Sequence, residues 1–320
     1  MKPFRPAWWL PGPHLPTIWG KKMRRLSVAH DRTEVVTTPD GDHLSLARMG
    51  CPQPGVPHLL ILHGLEGTLR AKYAHGLLHG AKARGWSGDL LLFRSCDGRS
   101  NSAPRLYHSG ETSDLDFIAR RLVTASPLSP LLVCGVSLGG NVLLKWMAEL
   151  GAAAPDLVKR AAVVSVPFDL AQGARHLESG FSRVYARHFL ATLIPKALEK
   201  ARQFPGLLDV DRILSAKTFW EFDDAATAPL HGFKGASDYY LRSSSLFLLH
   251  QVAVPTLVLA SRDDPFVPSQ VLSAMCRVTG EIDSFTVEIT DRGGHVGWIE
   301  GIPLFERYYM ERRVIAYLAQ

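Results

Sequence analysis

"PLLVCGVSLGGNVLLKWMAEL", residues 130–150, decides how the chain is read. Its opening, 130–136, is a continuous apolar run of the length of a strand buried on both faces. Its second half puts Val142, Leu143, Trp146, Met147 and Leu150 on one side of a helix of about 14 residues starting at Ser137. Between the two, Gly135-Val136-Ser137-Leu138-Gly139 fits G-x-S-x-G in the strand–turn–helix setting that the motif requires. A tight turn there lifts the serine over the carboxyl edge of a sheet. The flanking glycines leave room for neighbouring backbone, and the helix directs its positive end at the site. The other reading is an ordinary serine in a Gly-rich loop. What separates them is whether a base, an acid and oxyanion donors lie at suitable places elsewhere.

Working outward, "HLLILHG" (58–64), "DLLLFR" (89–94), "RAAVVSVPF" (160–168) and "VPTLVLAS" (254–261) read as buried strands, and "SFTVEI" (284–289) as one more. "EVVTTPDGDHLSLARMG" (34–50) reads as two short strands around the turn Pro39-Asp40-Gly41. Helical spacing runs over 70–84, over 112–124 with Thr112 as N-cap, over 269–278 and over 304–319. Apolar strands alternating with amphipathic helices predict an α/β fold, a mostly parallel central sheet with helices on both faces. Residues 169–250 break the rhythm with mixed helical segments and many aromatics. Because the chain leaves the sheet and returns to it, this stretch predicts an inserted helical cap within a single domain of 1–320.

The bulk composition narrows the function classes. The 320 residues carry 46% hydrophobic and 21% charged residues, the balance of a soluble globular protein with a full core. The net charge of +6 comes from 36 basic residues interspersed with 30 acidic ones, and the densest basic cluster, Lys21, Lys22, Arg24 and Arg25, belongs to no nucleic-acid motif. No nucleic-acid partner is expected. The four cysteines, Cys51, Cys96, Cys134 and Cys276, have neither CxxC nor metal-ligand spacing, which fits reduced thiols in a cytoplasmic protein without a metal; Cys96, beside Arg94 and Asp97, could be exposed, but all four read as small core or loop residues. No run approaches the ~18 apolar residues of a membrane span, and Pro6, Pro11, Pro13 and Pro16 interrupt any signal-peptide core. Trp8, Trp9, Leu10, Ile18 and Trp19 read as packing over the core, with weak peripheral membrane contact as the alternative.

Partners for Ser137 follow in the order nucleophile, acid, base. His295 stands in "DRGGHVGW" (291–298), a Gly-rich loop after the last predicted strand that can bring the imidazole over the sheet edge. Where the strand 254–261 ends, "SRDDPFVP" offers Asp263 and Asp264. The Asp-x-x-Val-Pro spacing that begins at Asp264 resembles the acid loop of many hydrolases of this architecture, which implies Asp264 rather than Asp263 as the residue that holds the imidazole tautomer, and Asp291 reads as a turn residue. Of the two oxyanion donors needed, one is the N–H of Leu138, the other that of Leu65 in "HGLEG" (63–67). His63 reads as structural; Glu66 reads as either substrate-touching or solvated.

Together, "HGLEG", "GVSLGGN", "DDPFVP" and "GGHVGW" resemble the α/β-hydrolase superfamily. "WLPGPHLPTIWG" (9–20), within a family-specific segment 1–33, and "YHSGET" (107–112) narrow the resemblance to its YheT-like esterase family. The resemblance runs along essentially the whole chain. It implies an α/β-hydrolase fold and a cofactor-free serine carboxylesterase acting on short- to medium-chain acyl esters and monoacylglycerols. Residue by residue, the triad falls on Ser137, Asp264 and His295. Pro16 departs from the glutamine expected in the N-terminal motif, and Tyr107, His108 and Glu111 have no assigned role beyond a turn capping the helix after Thr112.

A serine at 137 argues against aspartate-nucleophile chemistry, and no His-x₄-Asp acyltransferase motif occurs. Acyl transfer to an alcohol through the same acyl-serine, and a binding protein on a hydrolase fold, stay as alternatives. The expected substrate is a small ester with an apolar acyl chain. Phe181, Tyr185, Phe189, Phe219, Trp220, Phe222, Tyr239 and Tyr240 either wall its pocket or fill the cap's own core.

Overall fold

The apolar runs lie side by side in one eight-stranded sheet, in a computed structural model that describes residues 2–320. A helix, α1 (His14–Lys22), precedes the antiparallel pair β1 (Arg32–Thr37) and β2 (His43–Met49). Then come β3 (His58–Leu62), α2 (Lys72–Lys82), β4 (Ser87–Leu92), α3 (Ser113–Ala125), β5 (Leu131–Val136), α4 (Leu138–Leu150) and β6 (Arg160–Val164). The helical insertion includes α5 (Leu170–His176), α6 (Ser182–Gln203) and α7 (Ala236–Ser243). It is followed by β7 (Thr256–Ser261), α8 (Ser269–Thr279), β8 (Phe285–Thr290), a hairpin of β9 (Ile299–Ile302) and β10 (Phe305–Tyr308), and α9 (Tyr309–Leu318).

The sheet order is β1-β2-β4-β3-β5-β6-β7-β8, with β2 antiparallel to both neighbours and the pairs from β4 through β8 parallel. Leu60, Leu62, Val133 and Val163 pack on one face, against α3, α4 and α8; Leu59, Ile61, Leu132 and Val164 pack on the other, against α2 and α9. Burial on both faces is why these strands read as unbroken apolar runs rather than alternating ones. Their carboxyl ends share an edge, and the loops leaving β3, β5, β7 and β8 at that edge carry Leu65, Ser137, Asp264 and His295.

Two local expectations are corrected. The final helix begins at Tyr309, not 304, because Pro303 and the left-handed Leu304 (φ 70°) turn the chain into β10 first. Thr112 holds the N-cap position of α3 but not with its side chain: its hydroxyl donates to Glu149, while the Glu111 carboxylate accepts the N–H of Ser113 at 2.8 Å. Cys96 takes the core reading: it is buried, and burial pushes its thiol up to about 12. Arg24 leaves the basic cluster for the interior, where it pairs with Glu311 and lies 3.6 Å over the Tyr308 ring.

The proline-rich start still makes a helix, since Pro16 sits in the first turn of α1, where backbone N–H groups have no intrahelical acceptor. Ala7, Leu10 and Ile299 form a small core that Trp9 and Trp19 cover, while Trp8 stays exposed. Among the described residues, no helix is long and apolar enough to cross a membrane.

Candidate active site

Ser137 sits between β5 and α4 with φ 53° and ψ −120°, a region L-residues rarely occupy. The neighbours hold it there: its N–H donates to Val164 O at 2.8 Å, and its carbonyl accepts from Gly140 and Asn141. The flanking glycines are needed for space. A Cβ at Gly135 would lie 2.5 Å from Gly139 O, and one at Gly139 would lie 2.6 Å from the carbonyl oxygens of both Leu62 and His63.

The hydroxyl meets the base. His295 Nε2 lies 3.0 Å from Ser137 Oγ, and His295 Nδ1 lies 2.9 and 3.1 Å from the two oxygens of Asp264. All three residues are buried. With Nδ1–H donating to the carboxylate, Nε2 is left as an acceptor for the serine proton. Asp264 also accepts the Phe266 N–H at 2.8 Å, and the Phe266 ring stacks on the imidazole at 4.1 Å.

The neighbouring acids take other work. Asp263 accepts the N–H of Gly294 at 2.8 Å and so fixes the loop that carries His295; Asp291 is exposed and pairs with Arg262. Leu65 and Leu138 both line the cavity at Ser137, and among the described residues neither N–H donates to a protein acceptor. His63 is buried, its Nε2 accepting the Phe93 N–H, and burial lowers its pKa to about 4. Glu66 is not solvated: it bonds Tyr107 and Lys196.

Several supports escaped the sequence reading. Thr17 of α1 accepts the His295 N–H at 2.8 Å, and its own hydroxyl donates to Pro13 O. A Cβ at Gly294 would strike that same carbonyl at 2.4 Å, so the N-terminal helix and the His295 loop are fitted to each other. The "HLPT" stretch was visible as a motif, but its target lies 278 residues away. Asn141 ties three segments: its amide donates to Ser109 O and Ser243 O, and its oxygen accepts the Ser245 N–H. Its position two residues after Gly139 was the only local signal.

A cavity of about 140 Å³ opens on Ser137 and His295, walled by apolar side chains that include Leu106, Leu170, Leu193 and Phe266. Of the cap aromatics, Phe189, Phe219, Phe222, Tyr239 and Tyr240 line it. Phe181 and Tyr185 instead contact His14 of α1, and Trp220 packs on Tyr240. Three larger surface depressions elsewhere among the described residues are lined without Ser137, Asp264 or His295. His108 also lines the cavity; burial and the adjacent His231 ring lower its pKa to about 3, so it stays neutral.

One wall residue is acidic. Asp223 faces the cavity, accepts from Thr227 Oγ1 at 2.5 Å and Tyr240 Oη at 2.7 Å, and burial raises its pKa from 3.8 to about 6. The folded protein therefore holds a proton that the unfolded chain releases between those values, so stability falls as pH rises through that window. Across it, wild type should lose up to about 3 kcal/mol relative to Asp223→Asn, discounted for whatever water the cavity admits. Denaturant titrations of both proteins from about pH 4 to pH 6.5 check this, and parallel curves would refute it.

Comparison with known proteins addresses the family and the fold. The sequence profile of the alpha/beta hydrolase fold matches residues 57–302. The chain is 38% identical over 305 residues to "Putative esterase YheT" of Escherichia coli (strain K12), covering 94% of this chain and 88% of that protein. It is 28% identical over 317 residues to phospholipase ABHD3 of Bos taurus, covering 93% and 76%. The solved Pyrococcus furiosus esterase Pf2001 superposes with a TM-score of 0.57 at 16% identity, covering 91% of this chain and 93% of that one, a likeness of fold. A profile match across most of the chain, and a relative at this identity over nearly all of it, place the protein in the alpha/beta hydrolase family.

Proposed function

We propose that this esterase/lipase-type hydrolase cleaves carboxylic esters of short- to medium-chain acids through an acyl-serine intermediate. The carrying observation is the unbroken chain Ser137 Oγ–His295 Nε2, His295 Nδ1–Asp264, opening on a largely apolar cavity.

The chemistry follows from those contacts. His295 Nε2 takes the Ser137 proton as Oγ bonds the ester carbonyl carbon, and negative charge moves to the carbonyl oxygen. The N–H groups of Leu65 and Leu138 receive that charge, while Asp264 stabilises the imidazolium without taking its proton. The carbon–oxygen bond to the alcohol breaks as His295 returns the proton to the leaving oxygen. Water then gives a proton to His295 as its oxygen bonds the acyl carbon, and the acid leaves as Ser137 regains its hydrogen.

The apolar wall beside Ser137 suits an acyl chain, which it would take out of water. Hydrolysis of p-nitrophenyl esters with acyl chains of two to twelve carbons, together with fluorophosphonate labelling, tests the reading. Turnover with a preferred chain length and a single labelled serine is expected. A folded protein inert to every ester and to the fluorophosphonate would mean a binding role instead. Added alcohol that diverts product to a new ester would mark acyl transfer by the same acyl-enzyme.

A further inference from the structure

The turn that presents Leu65 is held in a conformation its own sequence disfavours. Gly67 N–H bonds Gly64 O at 2.9 Å, closing a four-residue turn in which Leu65 and Glu66 are the central pair. Glu66 has φ 55°, a left-handed value that glycine would accept freely and that strains glutamate. Such strain persists only where surrounding contacts over-determine it.

Those contacts are specific. The Tyr107 hydroxyl accepts the Glu66 N–H at 2.8 Å and donates to Glu66 Oε1 at 2.7 Å, a reciprocal pair between one backbone and one side chain. Lys196 Nζ, reaching down from α6 of the cap, donates to the same Oε1 at 2.7 Å. Tyr107 is itself fixed: it is buried, and its ring stacks on Phe93 with 4° between the planes. At the other end of the turn, the Gly64 N–H donates to the Tyr73 hydroxyl at 2.9 Å. If the Leu65–Glu66 peptide rotated to the commoner turn, the Glu66 N–H would point away from Tyr107 and the Leu65 carbonyl would reverse, so Leu65, whose own N–H belongs to the preceding peptide, would lose its anchor on that side.

We infer that Glu66, Tyr107 and Lys196 form a clamp that sets the oxyanion turn, making Glu66 and Tyr107 positioning residues for the Leu65 N–H and tying that setting to the docking of α6. The inference rests on the ester-hydrolysis reading above. It gives the "HGLEG" and "YHSGET" stretches one shared purpose, since Glu66 from the first and Tyr107 from the second close the contact. It also makes the cap part of the catalyst: where α6 lifts, Glu66 loses its cation and the turn loses one of its restraints.

Tyr107→Phe and Glu66→Gln are close in size to the native residues. The readout is kcat per fluorophosphonate-titrated site, KM, and the Ki of a trifluoromethyl ketone, whose adduct with Ser137 carries the same oxyanion. We expect kcat to fall about 10- to 100-fold, below the ~10²–10³ of losing a donor outright, with KM within about threefold. The ketone Ki should rise by the same factor as kcat falls. Lys196→Met should show a smaller loss of the same kind, and Lys196→Arg should recover most of it. A purely structural role would lower the number of titratable sites and leave kcat per site and Ki unchanged, which overturns the clamp. So would a change confined to KM, which would make Glu66 and Lys196 substrate contacts. An active wild type with indifferent variants overturns the clamp alone; an inert and unlabelled wild type overturns the hydrolase reading along with it.

Discussion

Ser137→Ala is expected to lower kcat for p-nitrophenyl ester hydrolysis by about 10⁴–10⁶-fold while leaving the protein folded. The substitution removes only the oxygen that lies 3.0 Å from His295 Nε2. That oxygen supports none of the fold: the bonds that hold the turn use the Ser137 N–H and carbonyl, which alanine keeps. Alanine does inherit the strained φ of 53°, but so did serine, and neither has a branched Cβ to worsen it. KM should change little, because the cavity walls remain. The residual rate would report what the oxyanion donors and the cavity achieve through water alone. Fluorophosphonate labelling should vanish completely. Retained labelling or a loss smaller than tenfold would move the nucleophile elsewhere, and the Ser137–His295–Asp264 chain would lose its chemical meaning.

How much of this was legible in the sequence depended on the range of the signal. Strands buried on both faces announce themselves locally, so β3, β5, β6 and β7 were found within a residue or two at most ends, and the loops leaving β3, β5 and β7 followed from them. The order Ser137, Asp264, His295 came from the same alternation, because each residue ends or follows a readable strand. Contacts between distant segments left no such trace. Thr17 and His295 are 278 residues apart, and Lys196 and Glu66 are 130 apart; no period or spacing links either pair. The β9–β10 hairpin was missed because "FERYYMERRVIAYL" carries helical periodicity from its start, and only Pro303 hinted that the chain turns before it settles into α9. The cap aromatics could not be sorted from sequence, since lining a cavity and filling a small core both ask for the same residue types. Glu111 shows the limit differently: its turn was read as capping the helix, and its carboxylate does accept the Ser113 N–H, but Thr112, the better cap by propensity, gives its hydroxyl to Glu149.

Asp264→Asn should cost kcat about 10⁴-fold, while Asp263→Asn, one residue earlier, should cost no more than about tenfold. The two carboxylates differ in what they touch. Asp264 faces His295 Nδ1 with both oxygens, and an amide there can present its NH₂ to that nitrogen. The imidazole would then place its proton on Nε2, pointing at Ser137 and unable to accept from it, and the positive charge formed during attack would lose its counter-ion. Asp263 takes only the Gly294 N–H, and an asparagine oxygen accepts that bond as well as a carboxylate oxygen does. Its loss of charge weakens the bond without rotating the ring, a change the loop can absorb because Thr17 and Ser261 also hold it. The pH profile separates a tautomer effect from a structural one. For Asp264→Asn, part of the lost rate should return at high pH, where Ser137 or the attacking water ionises without a base; a misplaced loop would stay slow at every pH. Comparable losses in the two variants would mean that loop placement, rather than the imidazole tautomer, governs the rate, and the role of Asp264 would pass to the pair.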